Sequence, residues 1–335
     1  MTRTALVTGS SGFIGYHLCR RLLDDGFRVI GIDAMTDYYD VALKARRRAM
    51  LRQSDVFSDV EDRVETPGRL ADLFAEHRPD VVVHLAAQAG VRYSIEAPES
   101  YVEANLMGTF RLLEAMRAHP PAHSLLASTS SVYGANTDLP YGETDRTDAQ
   151  MSFYAATKKA NEAMAHSYAH LYDLPVTMFR FFTVYGPWGR PDMALFKFTR
   201  AILAGEPIEV FNHGDMSRDF TYVDDLVEGI RLLIDAAPVR MDDVPDGDSL
   251  SPVAPWRVVN VGNSDSVRLT TFIDAIESAV GRPAERTLLP MQPGDVPATW
   301  ADASLLERLT GYRPKTQVAD GVERFVAWYR DFYGV

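Results

Sequence analysis

The chain of 335 residues holds a single cysteine, Cys19, so no internal disulfide can form. Its setting, YHLCRRLL, reads as a buried structural thiol in a protein of a reducing compartment. Positive charge is the scarcer sign, with 34 Lys and Arg against 46 Asp and Glu and a net charge of -12. That balance argues against a nucleic-acid or anionic-membrane surface, so each basic residue is judged singly as part of a local pocket. Long apolar runs are missing too: VVVHLAAQAGV is far short of the ~20 residues of a membrane span. The opening MTRTALVTGSSGFIG lacks the apolar core and small-residue cleavage site of a secretory leader. A soluble cytoplasmic protein without a metal site is expected. One local absence matters more: STSSVYG, residues 128–134, is rich in hydroxyls and has no Asp or Glu. Chemistry there is not done by a local carboxylic acid.

What is present alternates. ALVTG, RVIGID, VVVHLA, SLLAST and VTMFRFF are short apolar runs, separated by helical patterns over 12–25, 41–52, 101–117 and from Phe153 onward. Strands apolar on both faces with helices between them predict a doubly wound parallel sheet, an α/β protein. From about residue 184 the texture turns rich in Pro and Gly, which predicts a smaller C-terminal α/β lobe. The expected division is 1–183 with 217–261 partly returning to it, against 184–216 and 262–335. Residues 236–257, acidic and Pro-rich, read as an exposed surface insertion.

TGSSGFIG places Gly9, Gly12 and Gly15 between a strand and a helix. A tight turn needs the first, close approach of a pyrophosphate the second, and helix-on-strand packing the third, with the helix N-terminus facing the phosphates. Asp33, ending RVIGID, can accept hydrogen bonds from an adenosine ribose and would repel a 2′-phosphate, which favours NAD over NADP. Lys44, Arg46, Arg47 and Arg48 follow on a helical pattern and read as a solvated helix face rather than a 2′-phosphate site. In FYAATKKANE, Tyr154 and Lys158 lie four residues apart on one helix face. A phenol with a reference pKa of about 10 becomes a usable acid/base when positive charge, here the Lys158 ammonium and an oxidised nicotinamide, stabilises its anion.

TGSSGFIG, HLAAQAG, STSSVYG and YAATK together resemble the extended short-chain dehydrogenase/reductase superfamily, over essentially the whole chain. AAQAGVRYS, YAATKKANE, RFFTVYGPWGRPDMALFKF, RDFTYVDD and PGDVPATWAD are most similar to the UDP-glucuronate 4-epimerase family. That resemblance implies a Rossmann domain holding recycled NAD through Gly9, Gly12, Phe13, Ile14, Gly15, Asp33, Leu85, Ala86, Ala87, Asn105, Tyr154 and Lys158. It implies catalysis by Thr129, Tyr154 and Lys158 through a 4-keto sugar. It implies a UDP-sugar met by Gln88, Arg92, Ser130, Ser131, Thr183, Arg190, Lys197, Arg218 and Asp295. Arg218 would meet the diphosphate and Asp295 the uridine ribose. Thr183, where the galactose branch tends to have Asn, leaves room for a C6 carboxylate, with Gln88, Ser130 and Ser131 as further partners for it. The helices at 101–117 and 154–172 correspond to those that pair subunits in the superfamily, so a homodimer is implied.

The family often has an Asp near the adenine after the third strand. In SDVEDRVETPGRLADLF, Asp59 and Asp62 fit that place only with extra residues before the next helix. Dehydratases of this fold carry an acidic pair beside the VYG tyrosine and UDP-xylose synthases an acid in the same stretch, and STSSVYG has neither. A neutral UDP-hexose 4-epimerase remains the alternative, followed by UDP-glucuronate decarboxylation and a non-catalytic NAD-binding regulator.

Overall fold

Short runs that are apolar on both faces are satisfied only inside a sheet covered on both sides. In the computed structural model, which describes residues 2–292 and 294–335, that is where they lie. Pro293 of the PGDVP stretch, like Met1, is outside the described residues. Strand β1 (Thr4–Thr8) leads into α1 (Phe13–Asp24), β2 (Arg28–Asp33), α2 (Val41–Leu51), β3 (Phe57–Glu61), α3 (Arg69–His77) and β4 (Val81–His84). Two single turns, α4 (Tyr93–Glu96) and α5 (Pro98–Tyr101), precede a π-helical turn at Val102–Met107 and α6 (Gly108–Ala118). Then come β5 (His123–Ala127), a 3-10 turn at Ser130–Tyr133, α7 (Phe153–Tyr172) and β6 (Val176–Phe181). The remainder is β7 (Thr183–Tyr185), α8 (Ala194–Ala204), β8 (Ile208–Val210), β9 (Ser217–Tyr222), α9 (Val223–Leu233), β10 (Trp256–Val261), β11 (Ser266–Arg268), α10 (Leu269–Val280), β12 (Arg286–Leu288), α11 (Ser304–Thr310) and α12 (Val318–Tyr333).

The large sheet has the order β10-β6-β5-β4-β1-β2-β3, parallel throughout. Its central strands β4 and β5 are buried at every position, as their composition requires. One face packs on α1, α9 and α11, and the other on α3, α6 and α7. Strand order reverses between β1 and β4, which opens a crevice at the carboxyl ends of the strands. The glycine loop, HLAAQAG, STSSVYG and RFFT sit at the ends of β1, β4, β5 and β6, all on that rim.

Thr183, two residues past β6, already belongs to another sheet. The order there is β11-β9-β7, and β12 pairs with β8 in a separate two-stranded sheet. These sheets and α8, α10 and α12 share their own core, in which Phe220 and Phe272 stack with centroids 4.0 Å apart. Buried carboxylates fix the segments around β9 and β10. Asp219, wholly inaccessible, accepts from the amides of Asn263 (2.8 Å), Ser264 (3.0 Å) and Ala301 (3.2 Å). Burial pushes it up to about 6 against the pull of those amides. Glu143 accepts from the Asn260 amide at 2.8 Å, and burial pushes it up to about 7.

Both values lie above the ordinary carboxylate range, so the stability these groups contribute is full below it and lost as pH rises through about 6 to 7. Glu143→Gln keeps an acceptor for Asn260 and removes the buried charge. The variant should match the parent at pH 4 and exceed it by about 2 kcal/mol at pH 8 in urea unfolding. An equal difference at both pH values would refute this.

Three readings of the sequence are revised. The helix expected over 101–117 is interrupted by the π-helical turn, whose extra residue per turn directs Asn105 inward. The basic face of α2 is solvated only in part: Arg46 is exposed, but Lys44 and Arg47 are buried, and Arg48 forms an ion pair with Asp59 at 2.7 Å and another with Glu61. Amphipathic spacing does not separate a buried basic side chain with acceptors waiting for it from a solvated one. Residues 236–255 form no helix or strand and 256–257 begin β10, and the second half of the stretch folds back on α7 rather than standing free. Ser251 bonds His166 at 2.8 Å, Arg257 pairs with Asp248, and Leu250 and Ala254 are buried. Cys19 is wholly buried, and burial pushes its thiol well above the usual range.

Candidate active site

The glycine loop is shaped by what a side chain would collide with. Gly9 has φ +72°, and a Cβ on Gly15 would lie 2.0 Å from the Gly9 carbonyl oxygen. The first is the tight turn and the second the close helix approach that the spacing predicts. Gly12 is the N-cap of α1 and has no side chain to cap it, so the first-turn amides of α1, beginning with Phe13 and Ile14, get no such partner. Beside them the hydroxyls of Ser10 and Ser11 are buried and have no hydrogen-bond partner among the described residues. Unspent donors at a helix N-terminus fit a diphosphate. Asp33 accepts the Ser11 amide at 3.0 Å and the Met35 amide at 2.8 Å, which holds its carboxylate at the loop's edge. The residues present therefore fit a dinucleotide. Asp59 and Asp62 are both engaged by arginines, Asp59 by Arg48 and Arg52 and Asp62 by Arg69 at 2.6 Å.

On the next strand, Thr8 Oγ1 accepts the amides of Leu85 (3.1 Å) and Ala86 (3.0 Å). Its proton is then free to go to His84 Nδ1 at 2.8 Å, which leaves the ring proton on Nε2, facing Thr109 at 3.4 Å. Burial, with the Lys158 charge behind it, pushes His84 down to about 3, so the ring is a neutral strut and not an acid. Past Ala87, the Asn105 side chain clasps the Gln88 backbone, accepting from its N–H at 2.8 Å and donating to its carbonyl at 3.1 Å. Asn105 also donates to Thr157 at 3.0 Å, which ties the HLAAQAG loop to α7.

Helix α7 starts at Ser152, whose hydroxyl accepts the Ala155 amide at 3.1 Å. That cap aims Tyr154 at the crevice. Thr129, just past β5, lies beside the Tyr154 phenol, and its hydroxyl is engaged by Ser131. Burial raises the pKa of the phenol, and Thr129 and then Arg190 oppose that rise. Lys158 shares the helix face but donates to the Ala127 carbonyl at 3.0 Å. Burial pushes its ammonium down to about 8 against Glu162. Arg190 thus adds a positive charge near the phenol besides the Lys158 on its own helix face.

The row continues to Glu162, four residues further along the same face. This buried carboxylate accepts from Arg180 Nε and Nη2, both at 2.8 Å, and from the Ser128 hydroxyl at 2.7 Å. Burial alone would raise its pKa, but Arg180, Lys159 and Ser128 outweigh that and lower it. Glu162 thus locks the first residue of STSSVYG to the tyrosine's helix. Sequence reasoning missed it and Arg180. The i, i+4, i+8 spacing was a signal for Glu162; nothing in RFFT flagged its arginine.

Ser130 and Ser131 form the 3-10 turn after Thr129, with the Ser131 amide on Thr129 Oγ1 at 3.2 Å. Tyr133 of that turn stacks on Tyr141 at 4.4 Å, and Tyr141 lies within the field of Arg218. Arg218 and Asp295 pair with each other at 2.7 Å. Thr183 opens β7 opposite Phe220. Arg190 is held by Asp192 through two bonds of 3.0 and 2.6 Å, beside Tyr38 and near Tyr154. Lys197 is exposed on α8, its charge reaching Asp192, and Arg92 lies over Phe211 at 4.9 Å. Tyr101 donates to the Ala89 carbonyl at 3.1 Å and to that of Gly90, close to Gln88, and its ring meets that of Tyr154 edge-on at 6.0 Å. Thr129, Tyr154 and Arg190 are thus gathered at one point, with Lys158 on the same helix face as Tyr154, while Arg92, Lys197, Arg218 and Asp295 lie toward β8, β9 and α8. Among the described residues, no group of three or more His, Cys, Asp or Glu could hold a metal, and no helix is long and apolar enough to cross a membrane.

This architecture recurs in known proteins. The chain is 55% identical to a probable UDP-glucuronate 4-epimerase of Rhizobium meliloti (strain 1021), across 98% of this chain and 97% of that one. It superposes on the UDP-glucuronic acid 4-epimerase of Bacillus cereus, solved with UDP-glucuronic acid and NAD, with a TM-score of 0.88 and 32% identity over 98% and 100% of the two chains. A UDP-glucose 4-epimerase of Thermotoga maritima, solved with UDP-glucose, gives a TM-score of 0.84 at 27% identity over 98% and 99%. Residues 5–242 match the NAD dependent epimerase/dehydratase family, and the chain belongs to it.

Proposed function

We propose that this protein is a UDP-glucuronate 4-epimerase, interconverting UDP-glucuronate and UDP-galacturonate. The observation that carries the reading is the buried Tyr154 beside Thr129, in a site whose adjoining turn contains no acid. Bound NAD supplies a hydride acceptor for C4 and gives the hydride back, so net redox change is zero. Tyr154, eased by Thr129 and Arg190, takes the proton of the sugar 4-OH and later returns it. Lys158 holds the base of the site through Ala127. The flat 4-keto sugar turns between the two transfers and is reduced on its opposite face.

The intermediate is a β-keto acid, which loses CO2 when its C5–C6 bond stands perpendicular to the ketone plane. Gln88, Ser130, Ser131 and Thr183 supply fixed hydrogen bonds that keep the carboxylate out of that geometry. Arg92, Arg190, Lys197, Arg218 and Asp295 line the nucleotide side, with the Arg218–Asp295 pair opening to take diphosphate and ribose. Residues 1–183, with 217–261 partly returning, hold the dinucleotide; 184–216 and 262–335 hold the sugar nucleotide. The enzyme works in the cytoplasm as a homodimer. Support for the dimer is the exposure of apolar side chains in the turn before α6, Val102 and Met107, and at the end of α7, Leu171 and Tyr172.

Incubation with UDP-glucuronate, followed by chromatography and mass, tests the reading. UDP-galacturonate of unchanged mass is expected. Loss of the mass of CO2 would make the protein a decarboxylase, and conversion of UDP-glucose alone would make it a hexose epimerase. No turnover of any nucleotide sugar would leave an NAD-binding regulator.

A further inference from the structure

Arg47 is a fully buried guanidinium that forms no ion pair among the described residues. Its hydrogen bonds all go to neutral acceptors: Nη1 donates to the Ser11 carbonyl (3.1 Å) and the Tyr39 hydroxyl (2.9 Å), and Nη2 to the carbonyls of Trp188 and Gly189 (3.4 Å). Its Nε–H has no partner among the described residues. A buried charge without a counterion is costly, so its retention calls for a role. The acceptors supply one. Ser11 is the glycine loop; Trp188 and Gly189 lie some 140 residues away, in the GPWGRPD segment that enters the smaller lobe.

Two other contacts hold the same segment down. His17 Nε2 bonds the Pro187 carbonyl at 2.9 Å, and the Trp188 ring packs on Tyr16 of α1 at 5.6 Å. On its other side Trp188 meets Trp328 at 5.3 Å and Phe332 at 5.1 Å, both on α12. The next residue is Arg190, which acts on Tyr154. Residues 187–190 therefore form a strap from the cofactor loop to the proton-transfer tyrosine, and Arg47 is its fastening.

We propose that Arg47 is a positioning residue that latches this strap over the glycine loop and thereby keeps NAD from leaving, with its uncompensated charge facing the anionic end of the dinucleotide. The inference rests on the functional reading above, because an epimerase must return the hydride it removed and cannot lose the cofactor in mid-cycle. A guanidinium fork reaches both segments at once, whereas an ammonium is a single point of charge.

The test is NAD retention, read on the full-length protein without any sugar. Arg47→Gln should release NAD at least tenfold faster than the parent, and its epimerase activity should become dependent on added NAD. Arg47→Lys keeps the charge without the fork and should release NAD within about threefold of the Arg47→Gln rate. Parent-like release in both variants would overturn the latch, and so would full rescue by lysine, which would reduce the role to charge alone. Should Arg47→Gln not fold, Tyr39→Phe removes one acceptor only and should speed release severalfold, with an unchanged rate counting against the proposal. A parent protein that takes up no NAD would overturn the reading of the site itself, and that outcome is seen before any substitution is made.

Discussion

Tyr154→Phe should lower turnover of UDP-glucuronate by at least about 10²-fold while NAD remains bound, the lower end of what loss of general acid/base help costs. The phenol lies beside Thr129, and the turn next to it offers no carboxylate as a substitute. Phenylalanine keeps the edge-on packing against Tyr101 and removes only the oxygen. Cofactor absorbance after desalting and product formation by chromatography separate the two consequences. Near-normal turnover would remove Tyr154 from the mechanism. The sign of a companion change is also set. Burial raises the phenol's pKa and Thr129 holds it back, so Thr129→Val should move the basic limb of the pH–rate profile to higher pH. A limb shifted to lower pH would contradict the contact.

Glu162→Ala should destabilise the protein by about 3–5 kcal/mol at pH 7, the range for breaking a buried ion pair and stranding its partner. Arg180 is 2% exposed and Glu162 1%, so water does not replace the lost carboxylate. Glu162 also receives Ser128, so the loss reaches STSSVYG and with it the placement of Thr129. Urea unfolding measures the first effect and kcat the second. Glu162→Met combined with Arg180→Leu, which removes both charges, should recover most of the stability while activity stays low. A single-variant loss below about 1 kcal/mol would show that the pair is not desolvated as its burial implies.

Much of the site is local. A glycine loop, a capped helix start and a tyrosine with a lysine four residues on each depend on fewer than twenty consecutive residues, so their geometry is written in spacing. Glu162 lay on the same row and was legible in principle, since i+8 continues i+4. Arg180 and Arg47 were not. An arginine in a buried strand, or on an amphipathic helix, looks the same whether it meets water, a carboxylate from α7 or a carbonyl some 140 residues away.

The sequence by itself determined the doubly wound class, the dinucleotide loop and the Tyr154–Lys158 row, because backbone sterics and side-chain periodicity act over short distances. Only the tertiary structure decided which further charge eases the tyrosine, what the buried arginines fasten, and that Thr183 leaves the large sheet for the small one. Those outcomes depend on which carbonyls and carboxylates the packed chain brings within about 3 Å. No pattern along the chain carries that information, because desolvation makes such contacts matter only after the core has closed.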